Sequence, residues 1–165
     1  MKKRNLKGNN KGFTLVELIV VLVILAILAA ILVPALLGYI DQARNKQSLL
    51  NARSVLTAAQ AELSSIYGSS TAVPSDLNSS SNAHYTNFKS TADLENLSPE
   101  VVSIEIYTGA AYEAGDGKSR KSQHQAFTVV GMKYTDEAGT VYYTGGEWFD
   151  EETTVSGNKI ATITK

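Results

Sequence analysis

The sequence predicts an α+β fold, with one long N-terminal helix packed on an antiparallel sheet of about four strands. Two patterns predict it. From Phe13 to about Tyr67 the apolar residues first run continuously and then recur at helical spacing. From Val101 onward they alternate with polar residues in short runs separated by turn residues. The 165 residues suit one globular domain.

The first half of the helix is apolar on every side. All 16 residues from Leu18 to Val33 are apolar, and from Phe13 to Leu37 only Thr14, Glu17 and Pro34 interrupt the run. As a helix those 25 residues span roughly 37 Å, enough for a hydrocarbon core of about 30 Å. Five basic residues (Lys2, Lys3, Arg4, Lys7, Lys11) and no acid precede the run. The positive-inside rule keeps them cytoplasmic and exports the chain beyond Gly38. An ordinary signal peptide shares the basic start, with Val33-Pro34-Ala35 as a poor cleavage site. Two features oppose that reading. Glu17 stands inside the apolar stretch, where a charge is expensive. The helical pattern also continues past the point where a signal peptide ends.

In the second half, Leu49, Ala52, Leu56, Ala59, Leu63 and Ile66 repeat at spacings of three and four and share one face. Gln47, Asn51, Arg53, Gln60 and Glu62 are assigned to the other faces, and Gly68 to a C-cap. One helix from Phe13 to Tyr67 is roughly 80 Å long. Its first half requires lipid or partner helices, and its second half one covering sheet. Pro34 removes a helical hydrogen bond and Gly38 weakens the helix four residues later, so a kink is expected there.

Ser79–Asn82 reads as surface loop, and residues 90–97 as a short helix capped by Ser90 or Thr91 and ended by Pro99. Strands are expected at Val101–Thr108, Gln125–Tyr134, Thr140–Thr144 and, at an edge, Lys159–Thr164. The turn Asp136–Gly139 joins the middle two as a hairpin.

Chemistry-bearing residues are sparse. There is no cysteine, which excludes disulfides and thiolate metal sites. No GxGxxG, Walker or HExxH pattern occurs, so no catalytic residue, metal site or cofactor is expected. His84 and His124 read as exposed loop histidines. Glu147, Asp150, Glu151 and Glu152 around Trp148-Phe149 read as a solvated acidic loop, with spacing that fits no EF-hand. Lys118, Arg120 and Lys121, beside Gly115 and Gly117, read as a solvated hairpin loop. Trp148, Phe149, Tyr142 and Tyr143 read as core and sheet face. Without its first 12 residues the chain carries 10 basic and 16 acidic residues, and strong nucleic-acid binding is not expected.

The segment Lys11-Gly12-Phe13-Thr14-Leu15-Val16-Glu17-Leu18 resembles the class III signal of type IV pilins and type II secretion pseudopilins. The coincidence of a short basic leader, Gly-Phe, one acid five residues past the cut and an unbroken apolar helix makes the likeness specific. It covers residues 1 to about 67. The resemblance implies the pilin fold, cleavage between Gly12 and Phe13 by a membrane prepilin peptidase, and N-methylation of Phe13. It implies that Phe13 and Glu17 act in subunit assembly, Glu17 meeting the amine of a neighbouring subunit. It also implies that the stretch from Pro34 to Gly38 kinks or melts within the filament. The organisation it suggests is a leader at 1–12, a transmembrane and filament-core half-helix at 13–38, an amphipathic half-helix at 39–67, a connecting loop at 68–100 and the sheet at 101–165.

The function so implied is structural rather than enzymatic. The chain would be the major pilin of a type IV pilus, serving adhesion, twitching motility or DNA uptake. Its partners would be identical subunits in a homopolymer, the peptidase, the assembly platform, and the inner or cytoplasmic membrane before export to the cell surface. One alternative is a pseudopilin of a type II secretion or competence machine. Another is a membrane-tethered adhesin that does not polymerise.

Overall fold

A computed structural model describes residues 12–69, 71–114 and 119–164. The basic leader, and Gly115, Gly117 and Lys118 of the basic loop, lie outside the described residues. The chain divides into two compact units, Met1–Ile40 and Asp41–Lys165.

Helix α1, Leu15–Gly68, contributes to both. In the first unit its described side chains are all exposed, and Pro34 and Gly38 both lie within the helix. It is long and apolar enough to cross a membrane, with a mean hydropathy of 3.3 over its most apolar window. In the second unit α1 buries one face, formed by Ser48, Asn51, Ala52, Val55, Ala58, Ala59, Glu62, Leu63 and Ile66. The expected stripe is therefore turned slightly. Val55 and Ala58 are inside, while Leu49 and Leu56 are only half-buried at its margin.

That turn brings two residues assigned to the polar faces into the core, and each has a partner. Asn51 donates to the Ser98 carbonyl (3.2 Å) and accepts from Gln47 (2.8 Å). Glu62 lies 2.5 Å from Nδ1 of His84. His84 is thus a half-buried helix residue rather than an exposed loop histidine, whereas His124 is exposed on a 3-10 helix. Both corrections reflect the cost of burying a polar group, which is avoided only when a partner arrives from elsewhere in the chain.

The connection after α1 is more structured than a loop. A 3-10 helix, Pro74–Asn78, precedes helix α2, Ala83–Thr91. The expected helix at 90–97 is displaced N-terminally because Asn82 supplies the cap, accepting from the His84 N–H at 2.9 Å. Gly68 is the last residue of α1, with no left-handed cap conformation.

The sheet has five strands rather than about four: β1 Val101–Thr108, β2 Val129–Asp136, β3 Gly139–Thr144, β4 Glu147–Phe149 and β5 Asn158–Thr164. Their order is β4-β3-β2-β1-β5 and every pairing is antiparallel. The expected β2–β3 hairpin forms, its turn held by Asp136, which accepts from the N–H groups of Ala138 and Gly139. The additional strand β4 lies in the stretch read as an acidic loop. Gly145 and Gly146, both with positive φ (63° and 90°), turn the chain back in two residues and pair Thr144 with Glu147. Residues 125–127 belong to the 3-10 helix Arg120–Phe127, so β2 starts later than expected. Gln60 of α1 fixes that start, donating to the Phe127 carbonyl and accepting from the Val129 N–H.

Since β4 and β5 lie at opposite edges, residues 150–157 must cross the sheet. They pass over β2 at Gly131, where any Cβ would collide with Val155 and the Ser156 carbonyl. The core joins Ala52, Val55, Ala59, Leu63 and Ile66 of α1 to Leu77, Phe88, Ile104, Ile106, Met132 and Tyr134.

Arg120 also departs from the solvated reading. Its guanidinium donates to the carbonyls of Ser69 and Ala72, just past the end of α1, and lies 5.0 Å from the Phe127 ring centre. It thereby pins the chain that leaves α1 against the 3-10 helix Arg120–Phe127. Lys121 remains exposed. Arg120→Ala is expected to lower stability by about 2 kcal/mol, the scale of hydrogen bonds from a charged donor. Lys121→Ala is expected to have no effect. Thermal unfolding of both variants in detergent, monitored by Trp148 fluorescence, checks this.

Tyr134 is fully buried, and its hydroxyl sits by the Asn51 amide and Asp136 without the geometry of a hydrogen bond. Burial first, then the Asp136 charge, push its pKa up to about 12. The neutral phenol is therefore the folded form. Its contribution is complete below about pH 10, the usual tyrosine value, and is lost as pH rises toward 12. Tyr134→Phe is expected to match wild type at pH 7 and to lose less stability between about pH 10 and 12. Urea midpoints measured across that range decide the matter.

Candidate processing and assembly site

The candidate site is the start of α1. Gly12, Phe13 and Thr14 precede the helix, and Phe13 is 87 % exposed. The Gly12–Phe13 peptide bond therefore lies in non-helical, solvent-open chain.

The helix begins at Leu15 for a local reason. Thr14 Oγ1 accepts from the Glu17 N–H (3.2 Å), and Glu17 Oε2 accepts from the Thr14 N–H (2.9 Å) and from Thr14 Oγ1 (2.7 Å). Thr14 and Glu17 thus form a reciprocal capping box, satisfying N–H groups that a helix start leaves unpaired. The carboxylate also meets the positive end of the helix dipole. The reading of the sequence missed this device, although its signal, Thr-x-x-Glu before an apolar run, is present in Thr14-Leu15-Val16-Glu17. Both capping bonds use Oε2, and among the described residues Oε1 has no hydrogen bond.

Glu17 is flanked by exposed Phe13, Leu15, Val16 and Leu18, and beyond them by exposed apolar residues as far as Leu37. Pro34 and Gly38 stand at the far end of that stretch, in one turn-and-a-bit of the same helix.

Residues 7–33 match the family model described as the prokaryotic N-terminal methylation motif. This segment is the class III signal of type IV pilins and pseudopilins. No curated protein and no solved structure matches the chain. The signal supports a type IV pilin or pseudopilin, and points to a structural kind of subunit. It implies processing by a prepilin peptidase and pilus-type assembly, and the apolar helix fits membrane anchoring beforehand.

The remaining residues singled out in the sequence lie elsewhere. Glu147, Asp150, Glu151 and Glu152 are exposed on and beyond β4. Trp148 is half-buried against Tyr143, ring centres 5.1 Å apart.

An exposed, non-helical Gly12–Phe13 bond ahead of a capped helix predicts a defined cut. Intact-mass measurement of the cell-derived protein should give a chain starting at Phe13, 153 residues long, carrying one added methyl group. A start at Leu36 would instead mark an ordinary signal peptide.

Proposed function

We propose that the chain is the major subunit of a type IV pilus, polymerised through α1 after removal of residues 1–12. The observation that carries this reading is the state of α1 from Leu15 to Leu37, a helix apolar all round whose side chains are exposed and whose one acid is Glu17. Such a surface is stable in lipid or against copies of itself, and not in water.

In this reading Phe13 is the processed and methylated first residue, and Glu17 sets the register. Cutting after Gly12 creates an ammonium on Phe13, four residues before Glu17 in the sequence and just ahead of the helix. The Glu17 carboxylate keeps its cap through Oε2 and offers Oε1 to the ammonium of a neighbouring subunit. Capping and pairing then do not compete. Pro34 and Gly38 supply a weak point at which α1 adapts to the filament. The subunit waits in the cell membrane and works at the cell surface, in adhesion, motility or DNA uptake.

Glu17→Val should leave cleavage and membrane insertion intact, because valine suits lipid, and should sharply lower filament yield, because the neighbour's ammonium loses its partner. The measurement is sheared filament, identified by electron microscopy, relative to mature subunit in the membrane. Wild-type yield from the variant would overturn the pairing. Glu17→Gln, which keeps a cap acceptor without the charge, separates the two roles of this side chain.

A further inference from the structure

The head carries a second pair of matched surfaces. One is a groove of about 390 Å³ between α1 and the β3–β4 edge. Lys46 and Leu49 form its helix side, and Val141, Trp148, Phe149 and Asp150 its sheet side. Leu49, Trp148 and Phe149 are half-buried, so the head's own packing leaves this apolar seam unfinished. The rim beyond it is acidic. Glu147, Asp150, Glu151 and Glu152 are all exposed, and no basic residue occurs between Gly145 and Asn158.

The other surface is the outward ridge of α1. Lys46, Leu50, Arg53 and Thr57 recur at spacings of four, three and four, and all four are exposed. Leu50 stands 58 % exposed, a large aliphatic knob between two cations. Between Arg44 and Tyr67 the helix has one acid, Glu62, and it is buried against His84. An apolar knob flanked by positive charge thus lies beside an apolar groove whose sheet wall is acidic, the two meeting at Lys46.

We infer that the groove receives the Lys46–Leu50–Arg53 ridge of a second copy of this chain. Leu50 seats on Trp148, Phe149 and Val141, and Lys46 and Arg53 of the incoming copy face the acidic wall from Asp150 to Glu152. The host's own Lys46 borders the helix side, which directs the incoming cations to the opposite wall. A chain cannot fill its own groove in this way, because the ridge and one groove wall belong to the same helix. The two surfaces differ, so the contact is head-to-tail and repeats without closing, the geometry that builds filaments rather than dimers. It rests on the filament reading above and adds which faces of the head meet.

The absence of cysteine permits a clean test in the full chain, processed and assembled in cells. Filaments containing both Arg53→Cys and Glu151→Cys are treated with a short bis-maleimide and run on a denaturing gel. A ladder of dimers, trimers and higher species is expected from the double variant, and monomer from each single variant. Intact filaments of the double variant that give no ladder would overturn the contact while leaving the filament reading standing. So would dimers from Arg53→Cys alone, which mark a two-fold contact, or a product containing a different protein. No filaments from the wild-type chain would overturn the filament reading itself. In a second arm, Lys46→Glu with Arg53→Glu should cut filament yield about tenfold at low salt, the scale of several rim ion pairs. Adding Glu151→Lys and Glu152→Lys in the same chain should restore it. Wild-type yield from the first pair, or no recovery with the second, would overturn the charge pairing.

Discussion

The organising constraint is the exposed apolar surface of the first half of α1. Between Phe13 and Leu37 the described chain gives those side chains nothing to pack against. In water such a surface is unfavourable in proportion to its area. Such a surface calls for a second environment, which in the proposed reading is lipid before assembly and other helices after it. The same helix then changes character. From Ser48 to Ile66 it shows a single buried face, and a five-stranded sheet of ordinary size covers it. One element thus couples an exposed apolar surface to a head with a buried core of its own.

The head reaches that state through contacts between parts distant in sequence. Asn51 holds the Ser98 carbonyl, Gln60 holds the start of β2, and Arg120 holds the chain just past α1. Each bond ties α1 to a different later segment, so the polar residues on the helix act as attachment points rather than as solvent-facing decoration. Asn78 does the same at the far edge, accepting from the Thr162 N–H and so partly covering β5, which would otherwise be open to further pairing.

Periodicity made much of the fold legible in the sequence. The long helix, its change from uniform to striped, and the β1, β2–β3 and β5 strands all repeat over enough residues to leave a pattern. The class III signal was legible for a different reason, since Gly12-Phe13 and Glu17 are fixed by position rather than by packing. The losses share a physical cause. β4 has three residues, too few to show alternation, and only the Gly145-Gly146 turn announced it. Asn51 and Glu62 were placed outside because polarity was read without the partners, Ser98 and His84, that make burial tolerable. Arg120 was read as solvated because its acceptors, Ser69 and Ala72, lie some fifty residues earlier. The Thr14–Glu17 box was the exception, since it is local and could have been read.

That box also bears on why an acid persists where lipid is expected. A carboxylate in such a stretch is costly if it stands alone, yet here it closes the first turn of the helix it interrupts. It lets α1 begin two residues after Phe13, just beyond the proposed processing point. One carboxylate therefore serves both the start of the helix and the charge pair proposed for assembly.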